Sequence, residues 1–324
     1  MEDVAKMAGV SVSTVSHVIN GTRFVRKETK ERVLEAMRVL DYYPNYAARS
    51  LRSQKSRLIG VLMPDITNSF YMRVVSGIEK VMRANGYSLM VCNSDDNLQL
   101  EQEHLKILKA QSIEGLIMRA TPDDHSFLRE FEEYYPIVFV DCKPFGYPHG
   151  DRVVVDNERV SYEAVSFLIQ KGHRRIGMIK GIAGLTTSEE RLAGYERALS
   201  EYGIPIDEEL IKVSNSRIES GHELMLELLE QGITAVFAGN NVLTMGAMKA
   251  IKEKGLRIPE DVAIIGFDDE EWCVITDPPL TVVYQPAPRI GEMAAELLLA
   301  RINDKQRDFQ EVCLDCKLVI RQSC

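Results

Sequence analysis

The chain has 324 residues, 45% hydrophobic and 27% charged, enough apolar material for about two packed domains and not the composition of a disordered chain. Its 39 basic and 48 acidic side chains give a net charge of −9, which taken whole argues against a surface coated with cations for nucleic acid. No apolar run nears the ~18–20 residues of a membrane span, no basic-then-apolar leader opens the chain, and six scattered cysteines are too few for a disulfide scaffold. A cytoplasmic protein with reduced thiols, no cofactor and no membrane partner is expected.

The charge is uneven. Residues 1–57 hold 11 Lys and Arg against 6 Asp and Glu, a net of +5, and the rest of the chain carries −14. Such a basic head on an acidic body points to a nucleic-acid contact at one end. The head reads as three short helices. Val4, Ala5 and Ala8 recur at helical spacing before Gly9; Ser11 is a good N-cap for a second helix with Val15, Val18 and Ile19 inward; and residues 28–40 put Val33, Leu34, Met37 and Leu40 on one face of a third. Two helices meeting tightly at a glycine suit a helix-turn-helix, whose second helix enters the major groove N-terminus first. On it, Ser11, Thr14, Ser16 and Asn20 are suited to phosphate, which positions without specifying sequence, and Val12, Ser13 and His17 to base edges. Arg23, just beyond, completes the contact candidates of this head. Helix–Gly–helix also occurs in unrelated proteins, so spacing alone leaves both readings open.

Residues 44–57 are polar and basic around one leucine, Leu51, and read as a linker or marginal helix. From Leu58 short apolar runs alternate with amphipathic stretches. Strands are expected at 58–63, 87–91, 115–118, 137–140, 153–155, 176–179, 211–213, 235–238, 262–267 and 281–284, with helices at 71–85, 97–111, 158–171, 190–202, 219–231 and 242–254. This alternation means parallel sheet covered by helices. Ten strands are more than one sheet holds comfortably, so an α/β body of two doubly wound subdomains is expected.

A ligand cleft belongs outside the carboxyl ends of parallel strands. Polar residues just past strand ends are Asp65, Asn68, Asp141, Asp156, Asn157, Asn240, Asn241 and Asp268. Each is equally a helix cap or turn former. Phe70 or Tyr71, and the single Trp272, are candidates to sandwich a flat or pyranose-like ligand. Cys313 and Cys316 form a lone Cys-x-x-Cys without a second pair or a histidine cluster, so a structural role is expected over a metal site. No phosphate loop, nucleophile elbow or dinucleotide glycine fingerprint is present.

The string from Asp3 to Asn20, Asp-Val-Ala-Lys-Met-Ala-Gly-Val-Ser-Val-Ser-Thr-Val-Ser-His-Val-Ile-Asn, resembles the head of the lactose/galactose repressor family, and Val15 to Val25 its purine repressor branch. Tyr43-Pro44-Asn45 and Ala48-Arg49-Ser50-Leu51-Arg52 resemble the family's hinge. So do the body segments 171–177, 255–269 and 278–286. The resemblance implies a helix-turn-helix domain over 1–43, a hinge helix over 44–57, and an effector-binding and dimerisation body over 58–324 like periplasmic sugar-binding proteins. That body would have subdomains 58–157 with 288–324, and 158–287, joined by three crossovers. Leu51 would wedge into the minor groove, where an apolar side chain can unstack a flexible step, and Arg52 would reach groove or phosphate. A lone exposed leucine is the plainer alternative.

For the cleft, the resemblance implies that Arg191 forks onto effector oxygens, with Asn240, Asp268 and Gln285, and less directly Asp141 and Asp156, beside it. Three departures stand out. The family has further residues before Asp3, including a Thr and an Ile that cap and pack the first helix; Asn241 replaces a usual Asp; and Ser216 stands near a usual aromatic.

The expectation is an effector-controlled, sequence-specific repressor. It binds a palindromic double-stranded operator as a homodimer, with a sugar or sugar acid in the cleft. A purine is the alternative effector suggested by the head. A sugar-processing α/β enzyme with a helical appendage would need a catalytic constellation, and none is visible. A solute-binding protein of transport would need an export signal.

Overall fold

In the head, α1 (Glu2–Ala8), α2 (Val12–Asn20) and α3 (Lys27–Val39) enclose a small core of Val4, Ala5, Ala8, Val15, Val33 and Ala36. Val18, Ile19 and Met37 pack on it partly buried. The turn between the first two helices depends on Gly9, whose φ of 64° lies in the left-handed region that favours glycine. Ser11 caps α2 as expected, its hydroxyl accepting from the Thr14 N–H at 3.2 Å. The computed structural model describes residues 1–21, 23–42 and 56–324, and of Asn20 the backbone. Most of the hinge assigned to 44–57, including Leu51 and Arg52, lies outside the described residues.

The body begins at Arg57. It alternates strand and helix as the hydrophobic pattern requires: β1 (Leu58–Met63), α4 (Ser69–Ala84), β2 (Ser88–Asn93), α5 (Leu98–Ala110), β3 (Gly115–Met118), α6 (Leu128–Glu132), β4 (Ile137–Val140) and β5 (Asp151–Val155). The second half follows with α7 (Asn157–Gln170), β6 (Ile176–Lys180), α8 (Thr186–Glu201), β7 (Ile211–Val213), α9 (Ile218–Glu230), β8 (Ala235–Ala238), α10 (Asn241–Glu253), β9 (Ala263–Phe267) and β10 (Thr281–Tyr284). Then come α11 (Ala287–Asn303), β11 (Glu311–Leu314) and β12 (Lys317–Val319). One sheet runs β11-β5-β4-β3-β1-β2, parallel throughout; the other runs β12-β10-β9-β8-β6-β7, parallel except for β12. Central strands such as β3, β4, β8 and β9 are buried along their whole length, as strands covered on both faces must be.

The chain crosses between the sheets three times: after β5, after β10, and between β11 and β12. The return after β10 is fixed by a helix crossing. A Cβ on Gly77 of α4 would sit 2.1 Å from the Pro288 carbonyl oxygen, and one on Gly291 of α11 would sit 2.0 Å from that of Val74. The two backbones therefore touch where any side chain would hold them apart.

The tail does not return whole to the first half, as 288–324 was expected to. Strand β12 pairs antiparallel with β10, Val319 against Val282, in the second sheet. Ser323 Oγ then donates to the Ile264 carbonyl at 2.6 Å and accepts from the Thr281 N–H at 2.9 Å. Without β12, the edge of β10 would expose unpaired backbone. Neither β11 nor β12 was anticipated: at four and three residues, each shows too little of the two-residue strand alternation to stand out from loop.

Because the α4–α11 contact is backbone against backbone, Gly291→Ala is expected to destabilise the body by roughly 1–3 kcal/mol. Urea melts followed by circular dichroism read this directly; an unchanged midpoint would mean the crossing is not tight.

Candidate functional site

On the head, the first turn of α2 is exposed. Ser11, Val12 and Ser13 face solvent, Val12 at 42%, while Thr14, Ser16 and His17 are partly exposed. Ser11 Oγ lies 2.8 Å from Ser13 Oγ and 2.9 Å from Thr14 Oγ1. Hydroxyls so gathered at a helix N-terminus, where backbone N–H groups are unpaired, suit an anion. Lys6, Arg23, Arg26, Lys27 and Lys30 are exposed in the same small domain, so its cations are free to meet phosphate.

In the body, two aspartates stand at matching places in the two halves. Asp141 follows β4 and Asp268 follows β9, each at φ 68°. Each donates its N–H to the next strand, Asp141 to Val153 at 3.0 Å and Asp268 to Val283 at 2.8 Å. The left-handed backbone turns both side chains off the sheet ends into the cleft. The cavity there measures about 40 Å³, room for a few waters but not for a ring.

Arg191, buried on α8, lies with its guanidinium carbon 3.7 Å from the centre of the Phe267 ring. Asn157 Oδ1 accepts from its Nε at 2.9 Å, and the Gly239 carbonyl accepts from Nη1. Two of its three guanidinium nitrogens are thus held by the second half, and the residue lines the cavity. Gln285 Nε2 donates to Asp268 Oδ1 at 2.7 Å. Burial raises the Asp268 carboxyl to about 6; Arg191 and Gln285 oppose this, and Asp141 and Glu270 add to it.

The first half contributes Arg119, just past β3 and buried, in an ion pair with Asp96. Tyr71 Oη reaches Asp141 at 3.4 Å. Polar contacts span the cleft. Arg217 on the second half binds Asp65 at 2.7 Å and also Asp95, and Arg73 on the first half meets Glu270 at 3.2 Å. Asn68 and Asn241 exchange amide hydrogen bonds at 3.3 and 2.8 Å.

Asn68, Phe70, Asp141, Arg191, Asn240, Asp268 and Gln285 thus all line one cavity, and Tyr71 joins them. Two expected contacts do not. Asp156 caps α7, accepting from the Arg159 N–H at 3.0 Å, with its side chain about half exposed; its neighbour Asn157 serves the cleft instead, by holding Arg191. Trp272 lies in a short 3-10 turn, Glu271–Val274, and packs on the core of the second half. Arg119, Asp96 and Arg217 were missed. The strand-end rule that picked out Asp65 applies to Arg119 as well, but reading it for Asp and Asn alone passed over a cation. Asn240 and Asn68 are also helix caps, accepting from Leu243 and Phe70 N–H at 2.8 and 3.0 Å. The cap and cleft readings are both true of them. Asn241 takes the place expected for an Asp, and Ser216 accepts from Asn240 Nδ2 at 3.2 Å.

A DNA-sized helix on a basic head and a two-lobed body with a polar cleft define a ligand-controlled DNA-binding protein. Residues 1–45 match the model of bacterial regulatory proteins, lacI family, and residues 165–324 that of a periplasmic binding protein-like domain. The chain is 36% identical to the HTH-type transcriptional repressor PurR of Aliivibrio salmonicida, over 100% of this chain and 98% of that one. Among solved structures it is similar to the lac repressor dimer bound to operator and the anti-inducer ONPF, with 29% identity, TM-score 0.86, and 99% and 97% of the two chains covered. It is also similar to a LacI family transcriptional regulator from Enterococcus faecium with bound ribose, with 29% identity, TM-score 0.75, and 82% and 98% covered. The chain belongs to the lacI family of bacterial regulatory proteins. It is a DNA-binding transcriptional regulator and not an enzyme. Among the described residues no helix is long and apolar enough to cross a membrane.

A carboxyl raised on folding contributes stability below its unfolded pKa and loses that contribution as pH rises through about 6. Asp268→Asn is therefore expected to melt above the parent protein at pH 7.5, by about 3 °C or more, with the gap closing toward pH 4.5. Thermal melts across that range test it; a gap independent of pH would show that carboxylate burial is not its cause.

Proposed function

We propose that this protein is a repressor that binds a near-palindromic operator as a homodimer and releases or grips it according to a carbohydrate held between the halves of its body. Two-fold symmetry matches two heads to two half-sites. The observation that carries the carbohydrate reading is the lining of the cavity. It pairs guanidinium groups with carboxylates, the usual partners of vicinal hydroxyls, and offers one aromatic platform, Phe70 and Tyr71, set edge to face at 72°. On the opposite half Arg191 covers Phe267. A purine ring would want both faces stacked. The purine reading is favoured by the name of the Aliivibrio relative, and the sugar reading by the ribose bound to the Enterococcus one.

The contacts across the cleft suggest how the ligand acts. A ring needs more room than this cavity offers, so it is expected to part contacts that span the cleft, such as Arg217 with Asp65, and replace them with its own. A ligand shifts the equilibrium between two relative orientations only by its difference in affinity for them. Whether operator affinity falls or rises when the ligand binds follows from which orientation favours the hinge.

In the head, Ser11, Thr14, Ser16 and Asn20 are assigned to phosphate, and Val12, Ser13 and His17 to bases, with Arg23, Leu51 and Arg52 contributing from the flanking segments. Binding to a palindrome of about 14–18 base pairs is expected to weaken steeply with salt. His17→Ala should relax base preference and Ser16→Ala weaken all sequences alike. Gel shifts on operator and scrambled DNA decide: equal losses everywhere for both variants would overturn the assignment. Thermal shifts with D-ribose, D-glucose, guanine and hypoxanthine separate the effector classes.

A further inference from the structure

The head carries an apolar side chain that its own fold does not use. Phe24 lies in the segment between α2 and α3 and is 94% exposed, more than any other large apolar side chain among the described residues. Val4, Val15 and Val33 are fully buried at the centre of the head, and among the described side chains packed around them Phe24 has no place. Single exposed apolar side chains are ordinary on a protein surface, so the neighbours decide what this one can do.

Those neighbours are cations. Arg23 precedes the ring, and Arg26 and Lys27 follow it, all exposed. Among the described residues the head holds one ion pair, between Glu35 and Arg38 on α3, which leaves these three charges unspent. Their place in the chain fixes what lies opposite. Helix α2 ends at Asn20, and Gly21, at φ 61°, turns the chain off it. When such a helix lies in a major groove, the segment leaving it meets the wall of that groove. Phosphates alternate there with deoxyribose, and the C5-methyl groups of thymine project beside them. An apolar protein patch would suit the ring and leave the three cations unanswered; DNA answers both.

We propose that Phe24 is a further DNA-contacting residue of the head: its ring packs on the apolar wall of the major groove while Arg23 and Arg26 hold the phosphates on either side. The ring contributes affinity through buried apolar area, without displacing counterions as a cation does. The proposal rests on the reading of the head as an operator-binding domain and is independent of which effector fills the cleft.

The full chain first selects its preferred duplex from a randomised pool, without ligand and with D-ribose, guanine or hypoxanthine. Fluorescence anisotropy then measures binding to that duplex over a range of salt. Phe24→Ala is expected to weaken it ~5–30-fold with the slope of log affinity against log salt unchanged, whereas Arg26→Ala should lower that slope by about 1. The melting temperature of Phe24→Ala should match the parent, since the ring lies outside the core of the head. Phe24→Leu keeps an apolar side chain and should recover part of the loss. Replacing half-site thymines singly with deoxyuridine removes a methyl group alone. A penalty suffered by the parent and absent in Phe24→Ala places the ring on that methyl; equal penalties, with Phe24→Ala still weaker throughout, place it on deoxyribose. Equal binding by parent and Phe24→Ala, a loss that comes with a changed salt slope, or a loss matched by a lower melting temperature overturns the role of Phe24 and leaves the operator reading standing. A pool that yields no preferred sequence under any condition overturns the operator reading and the proposal with it.

Discussion

The body is organised around charge that is buried but must stay answered. Charged groups taken out of water are costly unless each has a partner. Here the partners are distributed over two halves of one chain. Asp141 and Arg119 come from the first half, Asp268 and Arg191 from the second, and Arg217 reaches across to Asp65 and Asp95. The closed arrangement is therefore one solution to a pairing problem. A ligand able to answer the same groups offers another. On the proposed function, that is how a ligand would trade the contacts across the cleft for its own.

The same logic explains where rigidity is placed. Arg191 is oriented by Asn157, at the first crossing, and by the Gly239 carbonyl at the end of β8, with Phe267 beneath it. The α4–α11 crossing lets the backbone touch at Gly77 and Gly291, which binds the returning chain firmly to the first half. The charged contacts that span the cleft, by contrast, join partly exposed side chains such as Arg217 and Asp95, which exchange partners at lower cost. Firm packing within each half and exchangeable polar contacts between them suit a domain that must respond to a small molecule.

Net charge taken over the whole chain misleads. The −9 total averages a +5 head with a −14 body. On the proposed function the exposed cations of the head are the groups offered to phosphate, which a single net charge for the chain conceals.

Much of this was legible beforehand, for identifiable reasons. The head was readable because capping and core spacing are local: Gly9 and Ser11 announce the turn before any tertiary contact forms. Asn68, Asp141, Asn240 and Asp268 line the cavity and were readable because strand ends mark the cleft of a parallel sheet, whereas Arg191 and Gln285 came only with the family resemblance. Asp156 and Trp272 failed because one position along a turn, or the direction a short 3-10 turn faces, decides between cap, core and cavity. Sequence determined the three head helices, the strands β1 to β10, the division of charge and the resemblance to the family. Only the tertiary structure decided that β12 closes the second sheet, that Asn157 holds Arg191, and that Arg119 meets Asp96 at the cleft floor. Those pairings join residues far apart in the chain, and no local periodicity encodes which buried charge will answer which.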